Sequence, residues 1–392
     1  MRQQLLIADQ VLPGPASDRI HDGAVLFQDG IILAVGPRAA VEGIASPTAE
    51  RQAFPGGTIL PGLINCHVHL VFDAGPDPVQ AAADTTQIEM AARAERLLRS
   101  GVTTIRDLGD RDGLAIQFRD QHVLGPRVVA SGPPITVPDG HCWFLGGAAD
   151  GETELRARVR HNAELGADVI KVMASGGQIT PNSPSMWDSQ FTERELAVIV
   201  DEAAKAGLPV AAHAHGSDAI AAAAEAGVAT IEHCTWLRAG GGGYDLRDDV
   251  AEKIAERGIF ACVAWPSDWR GFMSRFGAAR ADLITARFEW MANHGIRMIP
   301  GTDAGATNSS FDDYAGALQL YEHLGFDRGH VIEMATTTSA EALGLGGTTG
   351  QLTPGLSADL LVTRGDPLSR LANLGQLQLV LFRGRPTTAL AK

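Results

Sequence analysis

Histidines and carboxylates recur at the ends of apolar runs along this chain. The first such run, GLINCHVHL, contains His67 and His69, two positions apart. Alternate residues of a strand face the same side, so this spacing presents two imidazoles together, and two imidazoles make half of a metal site. Later apolar runs end in Lys171, His213, His215, His233 and Asp303. Because random placement would not repeat such groups at matching positions, the pattern predicts a metal centre.

The elements that must position these groups follow one repeating unit. A helical stretch ends at glycine and a short β-branched or apolar run follows, as in RSGVTTIRD, ELGADVIKV and EAGVATIEH. Glycine accepts the left-handed helix cap, and the run after it is typical of a buried parallel strand. Eight such strands predict a closed (β/α)8 TIM barrel of the α/β class, with functional groups at the carboxyl ends of the strands. An open doubly wound sheet is less favoured, because no Gly-rich phosphate loop follows the first strand.

The two ends of the chain have a different pattern, of short strands separated by turns. In GAVLFQDGIILAVG, for example, QDG predicts a hairpin. Two short β segments that flank a barrel cannot each bury a face alone, so we expect them to pack together as a small β-sandwich. The predicted domains are therefore a β-sandwich of residues 1–57 plus 349–392 and a catalytic barrel of residues 58–348.

Composition excludes several classes of partner. The chain has 392 residues, 45% of them hydrophobic, and a formal net charge of −14, which disfavours nucleic acid and anionic membranes as partners. No apolar stretch approaches the roughly 20 residues that span a bilayer, and the N-terminus lacks the features of a signal peptide. Its four cysteines have no CxxC spacing, which favours reduced, buried thiols in a cytoplasmic protein.

Lys171 is unusual among the candidate ligands because lysine is rarely buried. Within Ile-Lys-Val it should point into the barrel interior, where burial lowers the pKa of the amine. A neutral amine can react with carbon dioxide to give a carbamate, an anionic oxygen donor that can bridge two cations. A buried Lys171 paired with Asp303 would need no carbamate, and the residues alone leave these two interpretations open.

Several motifs together resemble the amidohydrolase superfamily, specifically its binuclear members with a bridging carboxylated lysine. GHCWFLGG, KVMASGG, AAHAHG and IEHC resemble the subgroup of Xaa-Pro dipeptidase-like, imidazolonepropionase-like and ochratoxin-hydrolase-like enzymes, and GLSADLLVTRGDPL resembles the closing sandwich strand of the family. The resemblance covers nearly the whole chain. It implies two divalent metal ions with these ligands: His67, His69 and Asp303 for the more buried ion, His213 and His233 for the second, and carboxylated Lys171 as the bridge.

The residues alone leave the roles of three histidines open. Strand periodicity allows either or both of His213 and His215 to be ligands; the resemblance favours His213 and places His215 where relatives carry a substrate-contacting Tyr or His. His141, in PDGHCWF, resembles a histidine near the scissile carbonyl, although it could be an ordinary loop residue. The donor set suits zinc, manganese or cobalt, and we expect zinc.

The chemistry expected of such a centre is metal-dependent hydrolysis of amide-type C–N bonds by a metal-bridging hydroxide. Asp303 would accept the proton of the water and return it to the leaving amine, while His141 or His215 would stabilise the oxyanion. We expect small-molecule substrates, namely dipeptides or N-acyl amino acids. Cyclic amides, carbamates, ureas or lactones are the alternative, because the same hydroxide attacks their carbonyls. A non-catalytic metal-binding barrel is disfavoured. Structural zinc sites close their coordination with four protein ligands, whereas a shared Lys171 leaves room for water here.

Tryptophans provide the clue to the substrate. Five of the six fall in predicted loops at the catalytic face: Trp143, Trp187, Trp236, Trp265 and Trp269. Aromatic loops at this face predict a pocket for an apolar or aromatic group, although long loops also build small cores of their own. Arg238 and Arg270 on these loops are candidate carboxylate binders. The resemblance further implies a homo-oligomer.

Overall fold

The computed structural model describes residues 2–121 and 125–387. The strands are β1 (Gln4–Val11), β2 (Ile20–Gln28), β3 (Ile31–Pro37), β4 (Glu50–Pro61), β5 (Leu63–Val68), β6 (Val102–Asp107), β7 (Arg127–Ala130), β8 (Ile170–Met173), β9 (Val210–Gly216), β10 (Thr230–Leu237), β11 (Phe260–Ala264), β12 (Met298–Gly301), β13 (Leu360–Arg364), β14 (Leu377–Phe382) and β15 (Arg385–Pro386). The α-helices are α1 (Arg38–Ile44), α2 (Pro78–Asp84), α3 (Gln87–Arg99), α4 (Leu114–Gln121), α5 (Gly151–Leu165), α6 (Glu193–Lys205), α7 (Ser217–Ala226), α8 (Asp248–Glu256), α9 (Trp269–Phe276), α10 (Ala278–Asn293), α11 (Tyr314–His323), α12 (Arg328–Glu333) and α13 (Ser339–Ala342).

The strands β5 to β12 are parallel and alternate with helices, which confirms the predicted α/β class. They form a three-stranded sheet, β5-β6-β7, and a five-stranded sheet, β12-β11-β10-β9-β8. The two sheets meet at both edges through parallel bridges, Val68 with Ala304 and Ile135 with Val172. Because every strand runs in the same direction, the carboxyl ends of all eight lie on one side, where the candidate ligands are placed.

The helix ends explain why the repeating unit folds as predicted. Helices α3 and α6 each begin with a capping box, in which Thr86 or Thr192 exchanges hydrogen bonds with the glutamate three residues later. Helices α5 and α7 end at Gly166 and Gly227, whose φ angles of 93° and 78° are left-handed. Each cap turns the chain back into the next buried strand.

Strands from both termini pair in one seven-stranded sheet of order β15-β14-β13-β4-β1-β2-β3. The predicted hairpin is confirmed: β2 and β3 are antiparallel, and the turn residues Asp29 and Gly30 both have positive φ. Strand β4 continues to Pro61 and leads directly into β5, so the boundary predicted near residue 57 falls inside a strand. The division of the chain into two domains stays a prediction.

The four cysteines are free and buried, as the sequence predicts. Burial raises the pKa of the Cys66 thiol to about 11 and that of Cys142 to about 12, so both stay protonated at neutral pH. Within residues 2–121 and 125–387, no helix is long and apolar enough to cross a membrane.

Candidate metal centre

His67 and His69 point their Nε2 atoms at the same carboxylate. His67 Nδ1 lies 2.9 Å from Glu232 Oε2, and His69 Nδ1 lies 3.1 Å from the Gly109 carbonyl oxygen. A carboxylate and a carbonyl accept hydrogen bonds, so each Nδ1 is the donor, and in the neutral form of either ring Nε2 then keeps its lone pair. The Nε2 atoms lie 3.5 and 3.3 Å from Asp303 Oδ1. These three side chains therefore form a ready group of metal ligands.

Asp303 and His233 reach the site through unusual backbone conformations. Both have left-handed φ angles, 56° for Asp303 and 65° for His233. Such angles are uncommon outside glycine and collect at functional sites. In β10 the left-handed backbone at His233 lets two consecutive side chains face the centre: Glu232 contacts His67, and the His233 ring lies 4.9 Å from the His67 ring. Regular strand alternation would have turned one of them away.

His213, His215 and His233 form a second group whose ligand atoms lie within 4.8 Å of one another. His213 Nε2 donates to the Gly176 carbonyl oxygen at 3.2 Å, which leaves Nδ1 of the neutral ring with its lone pair. His215 Nδ1 is 2.8 Å from the Thr235 hydroxyl oxygen. The structure thus brings both histidines of the HAH motif to the centre, and the assignment of His213 as the ligand stays a prediction.

Lys171 is a buried cationic residue whose amine has no hydrogen-bond partner among the described residues. Its side chain is 1% exposed, and among the described residues no atom is within hydrogen-bonding distance of Nζ. Burial lowers the pKa of the amine. The alternative pairing with Asp303 does not occur in the part of the chain that the structure describes. A buried amine without a hydrogen bond costs free energy. The unpartnered Nζ atom is therefore suited to act as a ligand to a group bound in the cavity that it lines.

The protonation states of the cluster suit a divalent cation. Burial lowers the pKa of His67 to about 4 and those of His213 and His233 well below the ordinary value, so these rings are neutral at pH 7. Neutral imidazole is the form that binds metals. Burial alone would raise the pKa of Asp303, but the neighbouring imidazoles and the Lys171 amine outweigh it and keep the carboxylate ionised. The residues present therefore fit two metal ions.

Two buried charges behind the centre were not predicted from the sequence. Glu232 is fully buried between His67 and Arg106, and Arg106 Nη2 donates to Glu232 Oε1 at 2.8 Å. Arg106 Nε also donates to the Cys66 carbonyl oxygen at 2.8 Å, which ties the guanidinium to β5. The available signal was a charged residue inside an otherwise buried strand, in TTIRD and in TIEH. This arrangement orients His67 and raises its basicity as a ligand.

We predict that Glu232→Gln weakens metal binding about 10- to 100-fold, because the amide no longer gives His67 a charged acceptor. The isosteric amide still accepts from Arg106, which limits the cost to the fold. Competition against a metal-chelating dye measures the affinity. Glu225→Gln, which changes a carboxylate on α7 that pairs with Lys253, is the matched control. An unchanged affinity in Glu232→Gln would show that the carboxylate does not support the ligand.

A cavity of about 840 Å³ opens onto these residues. Its polar side includes the candidate ligands, His141 and Arg275. Its apolar side includes Ile179, Met186, Pro266 and Phe272. Asp303 keeps 29% of its side chain exposed, so it is accessible from the cavity.

The five predicted tryptophans are not part of this lining, within the described ranges. Trp236 packs at 4.9 Å against Trp290, and Trp269 donates from Nε1 to the Gly316 carbonyl oxygen at 3.1 Å. Trp265 packs at 5.2 Å against Phe272. Trp143 is 46% exposed, and the Trp187 ring lies close to Gly241. The cavity therefore does not match the predicted tryptophan pocket, because the loops use most of these rings for their own small cores.

His141 lies in the cavity wall, with its ring 4.7 Å from that of His213. Its Nδ1 is 3.0 Å from Thr180 Oγ1, which already accepts from the Cys142 backbone N–H. The Thr180 hydroxyl hydrogen is therefore free to bond to Nδ1, an arrangement that leaves Nε2 as an N–H donor. Gly177 permits this position, because a Cβ there would lie 2.3–2.6 Å from the His141 ring.

Comparisons with known proteins identify the family of this chain. Ochratoxinase from Aspergillus niger is 29% identical over 407 residues, covering 93% of this chain and 82% of that enzyme. Imidazolonepropionase from Mesorhizobium japonicum is 24% identical, covering 88% of this chain and 86% of the relative. A crystal structure of a Xaa-Pro dipeptidase with bound methionine aligns with a TM-score of 0.83 and 25% identity, covering 98% of this chain and 99% of the other. The amidohydrolase family model matches residues 58–387, and the chain belongs to this family of hydrolases.

Proposed function

We propose that this chain hydrolyses amide-type C–N bonds in dipeptides or N-acyl amino acids that carry an apolar or aromatic group. The observation that carries the proposal is the unpartnered Lys171 amine, which lines the same cavity as two groups of ligand atoms. His67, His69 and Asp303 would hold one divalent ion and His213 and His233 the other, with zinc first among the metals. Lys171 Nζ would form a bond to the carbon of carbon dioxide and lose a proton to solvent, giving a bridging carbamate.

The two parallel sheets would position this centre as a single closed (β/α)8 barrel. Hydrogen bonds at both seams support closure: His69 N donates to the Ala304 carbonyl oxygen at 2.8 Å, and Ile135 N donates to the Lys171 carbonyl oxygen at 2.8 Å. In such a barrel the carboxyl ends of the strands carry the catalytic groups.

The side chains of the centre divide the chemistry among them. Two bound divalent cations would lower the pKa of a water towards neutrality and polarise the substrate carbonyl. Asp303 would accept a proton at its carboxylate and return it to the departing amine nitrogen, which must leave as a neutral amine. His141 would donate from Nε2 to the carbonyl oxygen as negative charge develops there, and His215 is placed to assist. Neutral rings serve this purpose because burial holds the pKa of both at about 3.

Arg275 supports a substrate with a free carboxylate. Of the cavity-lining residues, Arg275 carries the permanent positive charge, and its guanidinium lies 5.4 Å from the Phe272 ring centroid. The arginines expected from the sequence serve elsewhere: Arg238 donates to the Tyr244 carbonyl oxygen, and Arg270 stacks on Trp269 at 4.1 Å. A guanidinium beside an aromatic ring fits the α-carboxylate and apolar side chain of an amino-acid product.

We predict that Arg275→Gln raises KM about 10-fold or more for an N-acyl amino acid but not for its carboxamide, with kcat little changed. The reason is that the substrate carboxylate loses its charged partner, whereas the groups that contact the scissile bond are unchanged. Arg270→Gln is the control, because Arg270 lies on the same helix, α9, but stacks on Trp269. It should leave both KM values unchanged. Equal losses for the acid and the carboxamide would exclude a role in carboxylate recognition.

The proposed function is tested by amine release from a panel of dipeptides and N-acyl amino acids, with zinc- and manganese-loaded protein. We expect turnover of substrates with apolar or aromatic side chains, and its loss in Asp303→Asn. Silence across the panel, with turnover of cyclic amides, carbamates, ureas or lactones, would contradict the substrate assignment. Turnover that persists in Asp303→Asn would contradict the role of Asp303 as the proton acceptor.

A further inference from the structure

A second cavity, of about 490 Å³, lies at the opposite ends of the strands from the metal centre. Its wall is formed by residues that precede or begin strands β7 to β10, among them Arg127, Val169, Val210 and Thr230. The remaining sides are closed by residues 342–345, at the end of α13 and just after it, and by the turn between β14 and β15. A volume in this range is typical of small-molecule sites.

The charge of this wall is opposite to that of the protein. The whole chain carries a formal charge of −14, yet four arginines and one aspartate line the cavity. Three of these arginines form ion pairs: Arg106 with Glu232, Arg119 with Asp168 and Asp120, and Arg127 with Asp359. Arg127 and Arg383 together have one carboxylate nearby, that of Asp359, so this pair of arginines keeps a positive charge for a ligand.

One buried carboxylate holds both of these arginines at the wall. Asp359, 1% exposed, accepts from Arg127 Nη2 at 3.1 Å through Oδ2 and from the Arg383 backbone N–H at 2.8 Å through Oδ1. Both guanidinium groups approach the Phe382 ring, with Cζ 5.9 Å from its centroid for Arg127 and 5.0 Å for Arg383. The two cations thus flank one aromatic ring, and the single carboxylate between them neutralises one charge of the two.

Two features of this pair leave donors available to a ligand. Arg127 Nε is buried and has no hydrogen-bond acceptor among the described residues. Arg383 is exposed and makes no ion pair within residues 2–121 and 125–387, and it occupies a turn position with a φ of 50°, which arginine seldom adopts. Orphaned donors and strained residues of this kind are typical of binding sites.

We infer that this cavity binds a small amphipathic carboxylate. The carboxylate oxygens would accept hydrogen bonds from Arg127 and Arg383, whose planar forks suit bidentate pairing. The apolar body would lie against Val129, Leu343 and Phe382, which also line the cavity. A neutral apolar molecule would leave the guanidinium donors unpaired, and a fully hydrated phosphate would leave the apolar wall uncovered.

The test is calorimetric titration of the metal-loaded protein with octanoate and, separately, with phenylacetate. We expect saturable binding of at least one of them, about 10-fold weaker or more in Arg383→Gln. The tighter of the two identifies the body as an alkyl chain or an aromatic ring. Arg385→Gln is the matched control, because this exposed arginine lies beyond the same turn and outside the lining; its affinity should not change.

A cavity-filling variant, Val129→Phe, gives a second, independent readout and should abolish binding without loss of bound metal. Binding that is insensitive to both Arg383→Gln and Val129→Phe would place the carboxylate elsewhere, the metal centre included, and would overturn the proposal. Absence of saturable binding of either carboxylate would overturn it as well. Neither result bears on hydrolysis at the metal centre.

Discussion

Replacement of Lys171 by alanine is expected to remove bound metal and turnover together. The amine lines the same cavity as two groups of ligand atoms, is 1% exposed and has no hydrogen-bond partner among the described residues. If its carbamate supplies the anionic donor shared by both ions, the variant keeps only neutral imidazoles and one carboxylate. Loss of several kcal/mol of electrostatic stabilisation corresponds to about a 10³-fold fall in kcat. Atomic emission measures the metal content, and amine release measures the turnover.

Chemical rescue separates a lost ligand from a damaged fold. The space left by Lys171→Ala can admit a short carboxylate such as propionate, which should restore part of the metal content and the activity. Lys171→Met fills the same space with an apolar chain, so it should be equally inactive and should not be rescued. A fully active Lys171→Ala protein would contradict the bridging role. An inactive variant that keeps both ions would assign Lys171 to catalysis rather than to metal binding.

The placement of most candidate ligands could be predicted from the sequence because it depends on two simple periodicities. Residues two apart in a strand share a face, and parallel strands end on the same side of a sheet. These rules are sufficient to bring His67 and His69 together and to place Asp303 and His213 near them. The glycine that ends each helix shows where each strand begins, so the order of the strands also follows from local signals.

The arrangement around His233 depends on structure that local periodicity does not contain. Glu232 and His233 are adjacent, and regular alternation sends only one of them to the centre. The left-handed backbone at His233 and Cys234 breaks that alternation, so both side chains of the pair contact the site. Arg106 comes from β6, in the other parallel sheet, and its pairing with Glu232 follows only from the packing of the two sheets.

The tryptophans show a different limit of sequence reasoning. Their position in loops at the catalytic face was inferred from the strand boundaries, but a loop has no periodicity that tells which way a side chain points. Trp265 and Trp269 are buried against residues of α9 and α11, where a large ring gains more from burial than from exposure in the cavity. The sequence also does not distinguish Arg275 from Arg270 as the arginine of the cavity. Both residues lie on α9, and the orientation of this helix decides which guanidinium lines the cavity.

The second large effect is expected for Asp303→Asn, which should lower kcat about 10³-fold while most of the metal stays bound. The Oδ1 atom faces the Nε2 atoms of His67 and His69 at 3.5 and 3.3 Å, so an amide oxygen can still act as a neutral ligand there. An amide cannot accept the proton that the leaving amine requires. Asparagine also tolerates the left-handed φ of 56° at this position, so the backbone should not change.

The distribution of the loss between kcat and KM makes the test of Asp303 specific. A proton acceptor acts in the transition state, so kcat should fall while KM stays within about twofold of the wild-type value. Asp312→Asn, at an exposed carboxylate that pairs with Arg96, is the control and should leave kcat unchanged. Retained turnover in Asp303→Asn would refute its role in proton transfer. Loss of metal in parallel with kcat would make Asp303 a ligand alone, and proton transfer would then have to pass through His141 or His215.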